Sequence, residues 1–140
     1  MAQDRGPSTS LDRTVEWVDT DAAGHQHNSA ILRWMEAAEA QLMRELGLVD
    51  YFPLSPRVQQ VVNFRNRLWF GQRITATVWI ERVGNASLVL GFEITGHPCD
   101  RSAGGLAADG TVTTVHVPLG AEASAPWPAA MRSRLAGERP

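Results

Sequence analysis

The chain has a single cysteine, Cys99, so no internal disulfide can form and a disulfide-stapled scaffold is excluded. Cys99 reads as a small, half-buried apolar residue of a protein from a reducing compartment. Long hydrophobic runs are also missing: no stretch approaches the ~18 apolar residues that a membrane-crossing helix requires. The opening "MAQDRGPSTS" lacks the apolar centre of a signal peptide or anchor. The expectation is a cytoplasmic protein without a membrane partner. A large excess of one sign of charge is missing as well. The formal net charge is -2, and the basic residues are scattered from Arg5 to Arg139 with no dense run. That argues against broad electrostatic binding to nucleic acid, while leaving single arginines free to meet a ligand's phosphates. No internal repeat is visible.

What is present is ordinary globular material, 44% hydrophobic and 20% charged. At 140 residues the chain amounts to one domain, able to bury roughly two thirds of its unfolded surface around one core. Three stretches are expected: a flexible N-terminal segment over 1–10, a domain over 11–120, and a tail over 121–140 with a short helix after Pro128 and a frayed end.

Within the domain the hydrophobic period changes twice. "LDRTVEWV", from Leu11 to Val18, sets Val15 and Trp17 against Thr14 and Glu16, as a half-buried strand does. From Asn28 the step becomes three to four: Ile31, Trp34, Met35, Ala38, Leu42 and Leu46 make one stripe, with Arg33, Glu36, Glu39, Gln41 and Arg44 mostly off it. The spacing predicts a helix of about five turns, capped by Asn28 or Ser29 and stopped at Gly47. After the proline-marked "VDYFPLSPR" the period returns to two, through "VQQVVNFRNRL", "RITATVWIERV", "SLVLGFEITG" and "TVTTVHVPL". Ile74, Ala76, Val78 and Ile80 alternate with polar neighbours, and so do Leu88, Leu90, Phe92 and Ile94. "VGNAS" between these two runs predicts a tight antiparallel hairpin with glycine and asparagine at positive φ. "ADG", Ala108 to Gly110, reads as a bulge inside one long last strand. The fold class is therefore α+β, one long helix against an antiparallel sheet of about five strands. A single helix cannot cover such a sheet and also protect its edges, so a homo-oligomer, a dimer or a dimer of dimers, is expected to complete it.

The densest polar chemistry lies in "VDTDAAGHQHNSAILRW", Val18 to Trp34, directly against the start of the helix. A carboxylate within reach of a carbonyl carbon or of a water, beside donors that polarise the carbonyl, suits nucleophilic or general-base chemistry, and a strand-turn-helix junction supplies both. The first amides of a helix have no partner inside it and carry partial positive charge, which suits a developing oxyanion. A competing reading makes Asp19 and Asp21 no more than turn and cap residues.

The order of elements together with "DTDAAGHQHNSAILRWMEAAE" resembles the hotdog-fold 4-hydroxybenzoyl-CoA thioesterase and acyl-CoA thioesterase family. The likeness runs more loosely through "RVGNASLVLGFEI" and "LAADGTVTTVHV". It implies an acyl-thioester hydrolase acting on an acyl-CoA or acyl carrier protein substrate, without cofactor or metal. A non-catalytic acyl-thioester binding or sensing module is the alternative. By position the resemblance makes Asp21 the catalytic carboxylate, as nucleophile or as general base, with Asp19 structural. It places Gly24 in the turn and Asn28 where the main-chain amide polarises the carbonyl.

His25 and His27 raise the idea of a metal site with Asp21, but their spacing fits an active-site turn equally well. His27 is accordingly grouped with the catalytic residues and His25 with the substrate-binding ones. Relatives often place arginines at the hairpin after the third strand; here that hairpin has Gly84 and Asn85. Carrier phosphates must then be met elsewhere, with Arg65, Arg82, Arg67 and Arg101 as candidates, while Ser87 matches a position where the family keeps a serine. Glu36 is a secondary candidate, since some hotdog enzymes use a glutamate on the helix.

Overall fold

The computed structural model describes residues 5–138. Five strands, β1 (Ser8–Thr14), β2 (Arg57–Phe64), β3 (Arg73–Val83), β4 (Ser87–Gly96) and β5 (Gly105–Val115), form one sheet in the order β1-β3-β4-β5-β2. Every neighbouring pair is antiparallel. The 18-residue helix α1 (Asn28–Glu45) lies across β1, β3 and β4, and a short helix α2 (Ala129–Leu135) follows β5. This is the hotdog arrangement that the sequence reading expects.

The core sits between α1 and one face of the sheet. Ile31, Met35, Ala38 and Leu42 of the helix are buried against Ile74, Ala76 and Val78 of β3 and Leu90, Phe92 and Ile94 of β4. Both strand alternations thus point inward as their period requires. The apolar stripe of α1 is buried at every expected position except Leu46, which is half-buried.

Several expectations are corrected. Strand β1 starts at Ser8 and ends at Thr14 instead of running from Leu11 to Val18. Val15 still pairs with the turn before β3, donating to Gln72 O and accepting from Gly71 N, but Glu16 then leads into a 3-10 turn over Trp17–Asp19. The cause is Asp19, whose Oδ2 accepts the Glu16 amide at 2.9 Å and folds the chain back. Trp17 is therefore 76% exposed and rests edge-on against Phe70, which is also exposed, rather than facing the core.

The β3–β4 hairpin closes where expected, with Gly84 N donating to Ser87 O, yet neither Gly84 nor Asn85 has positive φ. A Cβ at Gly84 would lie 2.5 Å from Ser87 Oγ, so a larger residue there would require the serine side chain to turn aside. "ADG" does lie within one long last strand, but the irregularity falls just before it: Ile94 pairs with Ala108 and Thr95 with Leu106, leaving Ala107 extra. The Ala107 carbonyl turns to accept the amides of Arg65 and Asn66, at 2.7 and 3.1 Å.

Glu39, placed off the apolar stripe by its charge, is fully buried. Its carboxylate is satisfied by Arg57 through two hydrogen bonds and by Tyr51 Oη at 3.1 Å, so the helix is tied to β2 and the preceding loop by a charged cluster instead of a solvated face. Glu36 approaches the same Arg57 at 3.7 Å. The tail carries its short helix where expected, and Leu135 is buried completely, with Trp127 at 4% exposure. Trp127 Nε1 donates to Ser87 O, so the tail packs on the domain core.

Candidate active site

The loop joining the 3-10 turn to α1 is a miniature hairpin. Thr20 and Gln26 form an antiparallel bridge, Asp21 N donates to His25 O at 3.1 Å, and Gly24 N donates to Asp21 O at 3.0 Å. Gly24 closes this turn at φ 88, where no other atom lies near the position of a Cβ. Its requirement is conformational rather than steric, since residues with a side chain rarely adopt that backbone.

Asp21 is exposed at the tip. Its Oδ1 accepts the Ala23 amide at 2.8 Å, which orients the carboxylate, and among the described residues Oδ2 has no partner. Asp19 is the opposite case. It is buried, and both oxygens are occupied, Oδ1 by Arg33 at 2.7 Å and Oδ2 by Glu16 N. Its carbonyl accepts the His27 amide at 2.6 Å and so fixes where the helix begins.

His27, not Asn28 or Ser29, caps α1: its Nδ1 accepts the Ser29 amide at 3.1 Å and its carbonyl accepts Ala30 N. An imidazole nitrogen here does what an aspartate or serine oxygen usually does. Asn28, an exposed residue, is consequently the first of the helix, and its main-chain N–H has no acceptor among the described residues. This leaves one unpaired N–H at the positive end of an 18-residue helix, next to the loop that carries Asp21.

Gln26, which the sequence reading passed over, is buried and clamps the loop onto the chain entering β3. Its amide donates to Leu68 O at 2.9 Å and its Oε1 accepts Leu68 N at 2.7 Å. His25 forms a bridge with Trp69 and meets its indole edge-to-face at 5.9 Å. His25 Nδ1 is buried without a hydrogen-bond partner. His25, Asn28, Arg65 and Arg67 face a cleft of about 240 Å³.

Asp21, Gly24, His25, His27 and Asn28 thus belong to one loop and helix start, and Arg65 reaches the same cleft. Arg82 and Ser87 do not. They flank the β3–β4 hairpin, at the end of β3 away from Trp69, a strand length of roughly 30 Å at ~3.3 Å per residue. No three His, Cys, Asp or Glu side chains among the described residues cluster as a metal site. No helix among them is long and apolar enough to cross a membrane.

The family model described as the thioesterase-like superfamily matches residues 15–135, which includes the tail helix. YneP of Bacillus subtilis (strain 168), assigned as an acyl-CoA thioesterase, is 27% identical over 85 residues, 57% of this chain and 62% of YneP. The 1,4-dihydroxy-2-naphthoyl-CoA hydrolase of Prochlorococcus marinus (strain NATL1A) is 28% identical over 96 residues, 59% of this chain and 64% of that protein. The chain thus matches less than two thirds of the length of both. The solved structure of 4-hydroxybenzoyl-CoA thioesterase from Pseudomonas sp. strain CBS-3 superimposes with a TM-score of 0.80 over 92% of this chain and 99% of that one, at 18% identity.

Proposed function

Since the chain belongs to the thioesterase-like superfamily, we propose that it is an acyl-thioester hydrolase that cleaves an acyl-CoA to free acid and thiol, with Asp21 as its catalytic carboxylate. The observation that carries this reading is the free, oriented carboxylate of Asp21 on the loop that ends at the unpaired Asn28 amide. In this reading the thioester oxygen faces the Asn28 N–H, which strengthens its hold as negative charge develops there. Asp21 then either attacks the carbonyl carbon, expelling the thiolate and leaving an anhydride that water opens, or takes a proton from the water that attacks. Both routes consume one water and release one carboxylic acid and one thiol.

A homo-oligomer fits the surface. β2 is an edge strand whose Val58, Val61 and Phe64 are 59%, 41% and 51% exposed, an edge and apolar area that a second copy would cover. The Cys99 thiol is free, which fits a reducing, cytoplasmic setting.

The test is release of free thiol across short, long, branched and aromatic acyl-CoAs, repeated with the same acyl groups on acyl carrier protein. Turnover of at least one acyl-CoA is expected. Tight binding across the panel without thiol release would instead mark a binding module.

A further inference from the structure

Gln26 shares the wall of the cleft with Asn28 and is only 7% exposed. The fold uses half of its side-chain amide. Leu68 N–H can donate but not accept, so the atom that faces it at 2.7 Å is the oxygen, Oε1. Turning the amide over would set two donors against each other. The orientation of the whole group follows, and Nε2 is left without an acceptor among the described residues. The sealed side-chain atoms that lack a partner are His25 Nδ1, Ser55 Oγ and His116 Nδ1, and Gln26 Nε2 is not one of them. With the residue almost wholly buried and the cleft on its open side, the Nε2 hydrogens face that cleft.

The clamp on Leu68 explains the oxygen and gives the nitrogen no task, since the Gln26 amide on Leu68 O and the Leu68 amide on Oε1 complete that link. A polar group held nearly buried without a partner costs free energy, and a ligand that brings an acceptor to it recovers that cost. His27, between Gln26 and Asn28, is extended at φ -73 and ψ 146. Residues on either side of an extended one point to the same face, two steps of about 3.3 Å apart. One ligand oxygen can therefore lie between the Gln26 side chain and the Asn28 main-chain N–H.

We propose that Gln26 is a second catalytic donor, its Nε2 holding the thioester oxygen together with the Asn28 N–H. The proposal rests on the hydrolase reading above and adds a side chain to it. A carbonyl oxygen has two lone pairs, and two donors fill both. Because Oε1 is anchored on the backbone, Nε2 is in place before the substrate arrives, and no reorganisation is needed as charge develops. A neutral amide also stabilises that charge without pairing with the Asp21 carboxylate, as a lysine or arginine here would.

Gln26→Glu keeps the side chain's length and an oxygen for Leu68 N but has no donor. Its kcat for the best acyl-CoA should fall about 10²-fold, with KM changed by less than about threefold, as loss of one oxyanion donor does. Protection of the Leu68 amide from hydrogen exchange should match wild type, which separates loss of the donor from loosening of the loop. The direct readout uses phenacyl-coenzyme A, a ketone analogue with a methylene between sulfur and carbonyl and so no thioester to hydrolyse. On binding it, the wild-type chain should show the Gln26 side-chain NH2 proton signal moving downfield. Infrared spectroscopy with an isotope-labelled carbonyl should find its stretch at lower frequency in wild type than in Gln26→Glu. Wild-type kcat in Gln26→Glu overturns the proposal, and so does an NH2 signal that does not move. A fall in kcat with the carbonyl stretch unchanged also overturns it, because Gln26 would then act only through the loop. Should Gln26→Glu lose Leu68 protection or fail to fold, the wild-type NH2 signal decides alone. If the wild-type chain hydrolyses no thioester, the hydrolase reading fails by itself, and the NH2 signal and carbonyl stretch still decide about Gln26; no binding of the analogue overturns it.

Discussion

Arg33 donates to Oδ1 of Asp19 at 2.7 Å across the mouth of the loop that carries Asp21. With Oδ2 on the Glu16 amide, both oxygens of the buried Asp19 are engaged, and the two aspartates of one motif part company. Asp21→Asn preserves size and the bond from Ala23 N but removes charge and basicity, so hydrolysis should fall at least ~10²-fold while the fold persists. Asp19→Asn should cost stability, about 1–2 kcal/mol, with a much smaller kinetic effect. Steady-state kinetics and urea unfolding of the two variants check this. Wild-type rates from Asp21→Asn would remove Asp21 from the mechanism.

Tyr51 is the only tyrosine of the chain, so its ionisation can be followed directly at the tyrosinate absorbance. Burial, then the nearby Glu39 carboxylate, hold its phenol far above the ordinary 10.0. The folded protein keeps this proton at pH values where the unfolded chain has lost it. Its contribution to stability is therefore complete below pH 10.0 and declines as pH rises beyond it. Tyrosinate should appear only together with alkaline unfolding, and Tyr51→Phe should flatten the loss of stability between about pH 9 and 11. A reversible tyrosinate signal in the native protein near pH 10 would contradict this.

Arg57 and Glu39 should behave as a coupled pair. Arg57→Ala leaves a fully buried carboxylate with only the Tyr51 hydroxyl, a loss of about 3–5 kcal/mol. The double change Glu39→Leu/Arg57→Leu removes both charges and should be less destabilising than Arg57→Ala alone. A denaturant series on the single and double variants gives the coupling, and strict additivity would count against the cluster described here.

The tail should prove structural. Leu135→Ala deletes a side chain with no exposure and should cost about 2–5 kcal/mol, whereas exposed Ala136→Ser should change little. Thermal unfolding of the two variants decides it. A small effect at Leu135 would mean that the helix docks only marginally.

Assembly is checked by light scattering at micromolar concentration. A mass of two or four times 15.3 kDa is expected, and Val61→Glu on the exposed edge strand should shift it toward 15.3 kDa. A stable wild-type monomer would require the site to be complete within one chain.

Much of this protein was legible in its residues taken alone. The alternation of Ile74 to Ile80 and of Leu88 to Ile94, and the stripe from Ile31 to Leu42, settled which faces are buried, because backbone geometry fixes side-chain direction within an element. The same holds for the placement of Asp21, Gly24, His25, His27 and Asn28 on one loop, since they are neighbours along the chain. Tertiary structure decided whatever depends on elements distant in sequence. Asp19 is consumed because Arg33 returns to it after a turn of helix begins, and Glu39 can be buried only because β2 brings Arg57 alongside. Arg65 and Arg67 lie near Arg101 because β2 pairs with β5, whose extra residue Ala107 accepts the amides of Arg65 and Asn66. Trp17 faces solvent because the Asp19 carboxylate, two residues further on, binds the Glu16 amide and bends the strand, a contact that alternation of apolar residues does not encode.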